Sequence, residues 1–133
     1  MSVQFTEAEA RTLRAYVRAK KRDRERRLAF ALEEARRDCD RIIAAIARDF
    51  DPLRIYQWGS LVAPGHFSEL SDIDIAVEGI TDPALFSALV GKAADMTRFE
   101  LDIVQIERVH PAYADHIRRR GRIAHERGSR TGS

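Results

Sequence analysis

The sequence contains one cysteine, Cys39, among 133 residues. A single cysteine excludes an internal disulfide and is typical of proteins in a reducing compartment, so we expect a cytoplasmic protein. Cys39 falls among apolar positions of a helical pattern, which predicts a buried structural thiol rather than a nucleophile.

A secretory leader and long apolar stretches are also missing. The first residues have neither the basic nor the apolar region of a signal peptide. The longest run without a charged side chain, residues 55–68, contains glycine and proline and is too short to span a bilayer. These absences predict a soluble intracellular protein.

Glycine and proline do not occur in the first 51 residues. Thr6 followed three positions later by Glu9 forms the sequence of a capping box, which marks the start of a helix. The pattern predicts helix over residues 6–48. One straight helix of this length would measure about 64 Å, roughly twice the diameter of the domain that could follow it.

Apolar residues recur at helical spacing from Leu13 to Ile46. Basic residues interrupt this stripe in its N-terminal half, namely Lys20, Lys21 and Arg24. Two arrangements fit the pattern: the helix breaks near residues 20–26 into a hairpin, or its N-terminal half projects from the body. We favour projection or a loose pair, with residues 28–46 packed on a sheet.

The remainder of the chain alternates between strand and helix patterns. Strands are predicted over 54–58, 72–77 and 99–106, and helices over 84–94 and 111–120. The fold class is therefore α/β (α+β), with a small sheet, flanking helices and a long N-terminal helical arm. We divide the chain into an arm (1–48), a domain (49–126) and a disordered tail (127–133).

Charge is unevenly distributed along the chain. Residues 1–48 carry 13 basic and 8 acidic side chains, whereas residues 49–109 carry 4 basic and 11 acidic ones. Residues 110–133 are again basic. An acidic middle argues against a simple nucleic-acid-binding protein, whose core usually carries positive charge. Solvated surface acids and a central cation site both remain open on charge alone.

Asp72 and Asp74 lie two positions apart on a predicted strand, so both side chains point to the same face. Two neighbouring carboxylates repel, and without neutralisation one of them would take up a proton. A divalent metal removes this conflict. Asp102, on the next predicted strand, supplies a third carboxylate if the strands are neighbours. Oxygen ligands of this kind suit Mg²⁺ or Mn²⁺.

The step Gly59-Ser60 follows the first strand and offers backbone N–H groups and a hydroxyl suited to phosphate. Trp58, directly before it, is interpreted as a packing residue. Gly-Ser, an Asp-X-Asp strand and a later aspartate together indicate a phosphate-plus-metal site for nucleotidyl transfer.

The segments GSLVAPGHFSELSDIDIAV and ELDIVQI resemble the minimal nucleotidyltransferase family of the polymerase-beta-like superfamily, over about residues 50–125. The resemblance implies a mixed nucleotidyltransferase sheet and transfer of a nucleoside monophosphate from ATP. It also implies metal binding by three aspartates, the third of which activates the attacking hydroxyl, and nucleotide binding by the glycine and serines of the motif. These residues are Asp72, Asp74 and Asp102 for Mg²⁺ (or Mn²⁺) and catalysis, and Gly59, Ser60 and Ser71 for the nucleotide.

The chain departs from the family pattern in the loop between Ser60 and Asp72. This loop has eleven residues, one more than usual, and Pro64 stands where many relatives have an arginine. All three aspartates remain, so we expect an active enzyme.

Small members of this family are typically antitoxins that adenylylate a tyrosine of a helical HEPN-type toxin ribonuclease. The resemblance therefore implies such a toxin as partner and acceptor. Two alternatives remain open: a nucleotidyltransferase acting on a small, aminoglycoside-like molecule, and a catalytically idle antitoxin that acts by binding. A nucleic-acid role of the basic segment 18–27 is disfavoured, and the arm leaves an oligomer open.

Overall fold

The computed structural model describes residues 4–62 and 72–128, including the backbone but not the side chain of Ser60. Along the chain the elements are α1 (Glu7–Phe50), β1 (Arg54–Trp58), a 3₁₀ turn (Gly59–Leu61), β2 (Ile73–Glu78), α2 (Pro83–Ala94), β3 (Leu101–Gln105), α3 (Pro111–Arg120) and β4 (Arg122–Glu126).

Helix α1 is one continuous element of 44 residues and does not break near residues 20–26. It begins with the predicted capping box, in which Thr6 Oγ1 accepts from Glu9 N at 3.1 Å and Thr6 N donates to Glu9 Oε1 at 3.2 Å. No residue of 4–27 is buried, whereas burial begins at Ala31 and continues to Ile46. The predicted projecting arm is confirmed.

The four strands form one sheet in the order β3-β2-β1-β4. β1 pairs antiparallel with both β2 and β4, and β2 pairs parallel with β3. The parallel pair needs a crossover connection, which α2 supplies. Asp74 on β2 and Asp102 on β3, each near the beginning of its strand, therefore lie at the same end of the sheet.

The sheet has two covered faces of different character. One face packs against α1 and α2 (the α1/α2 face), where the core includes Ile55, Ile73, Ile75 and Val77. The other face packs against α3 (the α3 face), and its smaller core consists of Tyr56, Ala76, Ile106, Ala114 and Ile117. The strict alternation predicted for β2 is what separates these two sets.

Polar contacts fix the loop before β3 onto α1. Thr97 Oγ1 donates to Asp38 Oδ2 at 2.7 Å, and Arg98 donates two hydrogen bonds to Glu34 at 2.9 and 3.0 Å. Asp38 is buried, so this hydrogen bond satisfies a carboxylate that would otherwise be costly in the interior. The contacts set where β3 begins, and with it the position of Asp102.

Cys39 is fully buried in the core between α1 and the sheet, as predicted. Burial, with a smaller contribution from the charge of Asp40, raises the pKa of its thiol to about 12. The thiol therefore stays protonated at neutral pH, and its role is packing.

Strand β4 was not predicted from the sequence. It pairs with β1 along Arg54–Gln57, with a register shift between Ile55 and Tyr56. The ladder continues into Arg127, whose N–H donates to Leu53 O at 2.9 Å. Residues 129–133 of the predicted disordered tail lie outside the described residues.

Candidate active site

Asp74 and Asp102 are directly opposite each other in the parallel pairing of β2 with β3. On its other side, Asp74 is the register partner of Trp58 at the end of β1. All three residues lie on the α3 face, because Ile73 and Ile75 on either side of Asp74 point into the α1/α2 core. The structure thus brings together two of the predicted metal ligands on neighbouring strands.

Asp72 is exposed and lies immediately before β2. It is still close enough for its charge to act on Asp74, and Asp74 is partly buried. Burial, followed by the charges of Asp102 and then Asp72, raises the pKa of Asp74 to about 7. Within the described residues no basic group offsets this rise. The site therefore concentrates carboxylates whose repulsion is relieved either by a proton on Asp74 or by a bound cation.

Gly59 allows the carboxylate of Asp74 to lie directly against the turn after β1. Its φ is +78°, which disfavours any other residue, and a Cβ built there would lie 2.1 Å from Asp74 Oδ2 and 2.9 Å from Cγ. The predicted Gly-Ser step is therefore a cradle for the second aspartate as well as a turn.

The other predicted nucleotide-binding residues are not described to the same extent. The backbone of Ser60 forms part of the 3₁₀ turn Gly59–Leu61, directly beside the cradle. Ser71 and the loop that contains Pro64 lie outside the described residues, as does the whole stretch 63–71. Their roles stay predictions.

The aspartates fit a metal ion of one kind better than another. Among residues 4–62 and 72–128, no group of three His, Cys, Asp or Glu side chains is placed to hold a metal. Mg²⁺, however, is usually bound by one or two carboxylates and completes its shell with water and substrate phosphates. The facing pair Asp74 and Asp102, with Asp72 beside them, fits that mode of binding by its donor type and its excess negative charge.

An aromatic pair that sequence reasoning did not connect lies beside the aspartates. The rings of Trp58 and Tyr113 meet edge to face, with centroids 5.5 Å apart and an interplanar angle of 89°. Burial, then the charges of Asp102 and Asp74, raise the pKa of the Tyr113 hydroxyl. Trp58 packs as expected, although its Nε1 is buried without an acceptor among the described residues. The two rings are 55 positions apart, and no local pattern links them.

Comparison with solved structures assigns the fold. A toxin–antitoxin crystal structure with AMP-PNP matches with a TM-score of 0.55 and 25% sequence identity, over 65% of this chain and 73% of that one. A mutant of the toxin–antitoxin MntA–HpeT, with two Asp-to-Glu substitutions, matches with a TM-score of 0.54 and 22% identity, over 65% and 72%. The fold is that of a nucleotidyltransferase.

The nucleotidyltransferase fold confirms the predicted fold class, including the small mixed sheet and the long N-terminal helix. No protein family matches the sequence. No curated protein matches it either. In the part of the chain that the structure describes, no helix combines the length and apolar character needed to cross a membrane.

Proposed function

We propose that this chain is a Mg²⁺-dependent nucleotidyltransferase that transfers AMP from ATP to a hydroxyl of a partner protein. The observation that carries the proposal is the facing pair Asp74 and Asp102, with Asp74 held against the Gly59 turn and its pKa raised by burial and by the neighbouring carboxylates. A structural scaffold gains nothing from placing these carboxylates together, whereas a site for metal and triphosphate needs them.

The facing pair Asp74 and Asp102 would hold the metal, with the charge of Asp72 beside them, and the Gly59-Ser60 turn would receive phosphate oxygens. When bound, the ion neutralises the aspartates and the charge that develops on the transferring phosphate. The acceptor oxygen attacks the α-phosphorus of ATP, the bond to the bridging oxygen breaks, and pyrophosphate leaves. Asp102 is the proposed acceptor of the hydroxyl proton, since it faces the site from the neighbouring strand.

The partner in this proposal is a toxin of the HEPN type, modified on a tyrosine, and the chain is its antitoxin. Support comes from the two neighbours, which are toxin–antitoxin structures, one of them with the ATP analogue AMP-PNP. The sequence resemblance points to the same pairing. Within the described part of the chain, residues 28–62 and 72–126 build the sheet and its helices, so only the arm is left there to enclose a small acceptor.

Incubation of the protein with labelled ATP, Mg²⁺ and the purified product of the neighbouring gene tests this proposal. We expect label on that product only, mapped by mass spectrometry to one hydroxyl with the added mass of one or more AMP groups. Robust labelling of an aminoglycoside without any partner would favour the small-molecule alternative. Neutralisation of the partner without any transfer would identify an idle antitoxin.

A further inference from the structure

The arm, defined as residues 4–27, exposes large apolar side chains that the domain does not use. Phe5, Leu13, Tyr16 and Val17 are 46–60% exposed, and none of them belongs to either core. An open groove of about 540 Å³ follows this side of the helix, lined by Phe5, Ala8, Glu9, Thr12, Leu13 and Tyr16. Exposed apolar groups in a row commonly mark an interaction site.

The exposed apolar residues share a side of α1 with the residues that pack on the sheet. Leu13 and Val17 precede the buried Ala31 and Ala35 by 18 residues, which is about five helical turns. They therefore point toward the side of α1 on which the domain lies. We call this line of residues, from Leu13 to Arg24, the arm stripe.

The arm extends past the end of the sheet that carries the aspartates. β1 returns along α1 and ends at the Gly59 turn, and this turn lies beside the middle of the helix: Arg36, Asp40, Gln57 and Leu61 line a common pocket. Continuing from there toward the N-terminus, the helix reaches about 44–50 Å farther at 1.5 Å per residue. A body seated against the stripe would also meet the active-site end of the domain.

The stripe changes character along its length. Its outer part is apolar, through Leu13 and Val17, and its inner part is basic, through Lys20 and Arg24. The two basic residues lie 18 residues before the buried Asp38 and Ile42, so they are on the same side of the helix as the apolar part. The whole arm carries nine basic and four acidic residues. A complementary surface must therefore be apolar opposite the tip and acidic near the domain.

We propose that the arm stripe docks the partner protein, and that the partner presents an apolar ridge that continues into an acidic patch. The inference rests on the proposed function in taking the docked protein to be the acceptor of AMP. Docking along the stripe places that protein over the end of the sheet where Asp74 and Asp102 lie. The docked protein would thereby add a wall to the site beyond those that the described residues form.

Other occupants fit the stripe less well. Two arms of net positive charge repel, and four apolar side chains cover little of the roughly 1,200 Å² that a stable dimer buries. A flat bilayer cannot lie along the stripe, because the sheet stands on that side of α1, about 10 Å away. Nucleic acid offers phosphates but no partner for Leu13 and Val17.

The experiment measures binding of the purified neighbouring-gene product to the full-length chain by isothermal titration calorimetry. Leu13→Ser/Val17→Ser alters the apolar part of the stripe, and Lys20→Glu/Arg24→Glu alters its basic part. Arg18→Ser/Arg22→Ser and Arg18→Glu/Arg22→Glu, at the same spacing but on the opposite side of the helix, are the matched controls. Every residue concerned is exposed, so circular dichroism and thermal unfolding should be unchanged.

We expect each stripe variant to weaken binding at least tenfold and each control to change it less than threefold. Asp74→Asn should bind as wild type does, which separates docking from chemistry: lost transfer with intact docking concerns the proposed function alone. The docking proposal is overturned by wild-type affinity in the stripe variants, by no complex with the wild-type chain, or by self-association in sedimentation that Leu13→Ser/Val17→Ser abolishes. Duplex DNA binding lost in the Arg18/Arg22 controls, with unchanged partner binding in the stripe variants, would also overturn it.

Discussion

The two faces of β2 differ although they belong to the same six residues. On the α1/α2 face, Ile73, Ile75 and Val77 are almost completely buried and stabilise the fold through apolar contact. On the α3 face, burial and the charges of Asp102 and Asp72 raise the pKa of Asp74. One face of the strand therefore stabilises the domain, and the other face carries carboxylates that repel one another.

This difference shows how a small domain accommodates a site that is unfavourable for its own stability. Period-two alternation lets apolar and acidic residues occupy neighbouring positions without sharing an environment. The burial of three aliphatic side chains offsets the repulsion among the aspartates. Substitutions on each face should therefore affect different measurable quantities.

Asp74→Asn should produce the largest effect, a loss of at least 1,000-fold in the rate of AMP transfer. The substitution removes a proposed metal ligand and keeps the shape of the side chain. Labelling kinetics with saturating ATP and Mg²⁺ measure the effect. Asp95→Asn, at an exposed aspartate after α2, is the control and should retain the wild-type rate. Transfer by the Asp74→Asn protein at a near wild-type rate would exclude the proposed metal site.

Ile75→Ala on the opposite face should lower the free energy of unfolding by about 3 kcal/mol. Ile75 is fully buried between α1 and the sheet, so the truncation leaves a cavity. Urea denaturation measures the change. Ile123→Ala is the matched control, since Ile123 is 52% exposed on the edge strand β4, and it should cost less than about 1 kcal/mol. Equal losses in the two variants would contradict the assignment of the core.

Gly59→Ala should affect both stability and transfer, because Gly59 has a backbone conformation that favours glycine and also lies against Asp74. The added Cβ clashes with the Asp74 carboxylate and forces a residue with φ of +78° into a strained conformation. We expect a loss of about 2 kcal/mol in stability and of at least tenfold in transfer.

Gly91→Ala in α2 is the corresponding control. A Cβ at Gly91 meets no atom within 4 Å, so this helical substitution should raise stability by about 0.5–1 kcal/mol. Comparison of both variants by urea denaturation and by label transfer separates the clash from the general effect of replacing glycine. A Gly59→Ala protein with unchanged transfer would show that the turn does not position Asp74.

The smallest predicted effect is a pH dependence of stability without metal. The pKa of Asp74 is raised to about 7 in the folded state, while that of an unfolded aspartate is about 3.9, so the folded state holds the proton more tightly. Its contribution to stability is therefore complete below about pH 4 and is lost as the pH rises to about 7. In the presence of EDTA, the free energy of unfolding of the wild-type protein should fall between pH 5 and pH 8. This fall should exceed the one in Asp74→Asn by on the order of 1 kcal/mol.

Addition of Mg²⁺ should reverse this difference, since the ion favours the ionised carboxylates. Denaturation curves at pH 8 with and without the ion provide the measurement. Parallel pH profiles of the wild-type and Asp74→Asn proteins in EDTA would show that Asp74 does not titrate in this range.

Local patterns were sufficient to predict most elements of this fold. The capping box at Thr6, proline at the starts of α2 and α3, and the alternation in β2 each depend on neighbours in sequence. The same alternation predicted that Asp72 and Asp74 share a face, with Asp102 joining them if the strands are neighbours. Parallel pairing of β2 with β3 makes the strands neighbours and places Asp102 opposite Asp74.

Features that depend on distant contacts were not predictable from the sequence. The segment Arg122–Glu126 contains two charged residues, a histidine, an alanine and a single large aliphatic residue, Ile123, so its sequence does not alternate like a buried strand. It becomes a strand because the free edge of β1 pairs with it. The contact of Trp58 with Tyr113 likewise exists only after α3 has packed on the sheet. The secondary-structure propensities of the residues predict neither strand β4 nor this aromatic contact.

The pairing of β1 with β4 has a consequence for how the domain assembles. Arg54 and its neighbours pair with Ile73–Glu78 about 20 residues later, but with Arg122–Glu126 about 70 residues later. Closing the longer loop costs more chain entropy, so the β1–β4 ladder should form after the β1–β2 ladder. Until it does, the central strand has a bare edge that can pair with another chain, and the time this edge stays open sets how prone the folding intermediate is to aggregation.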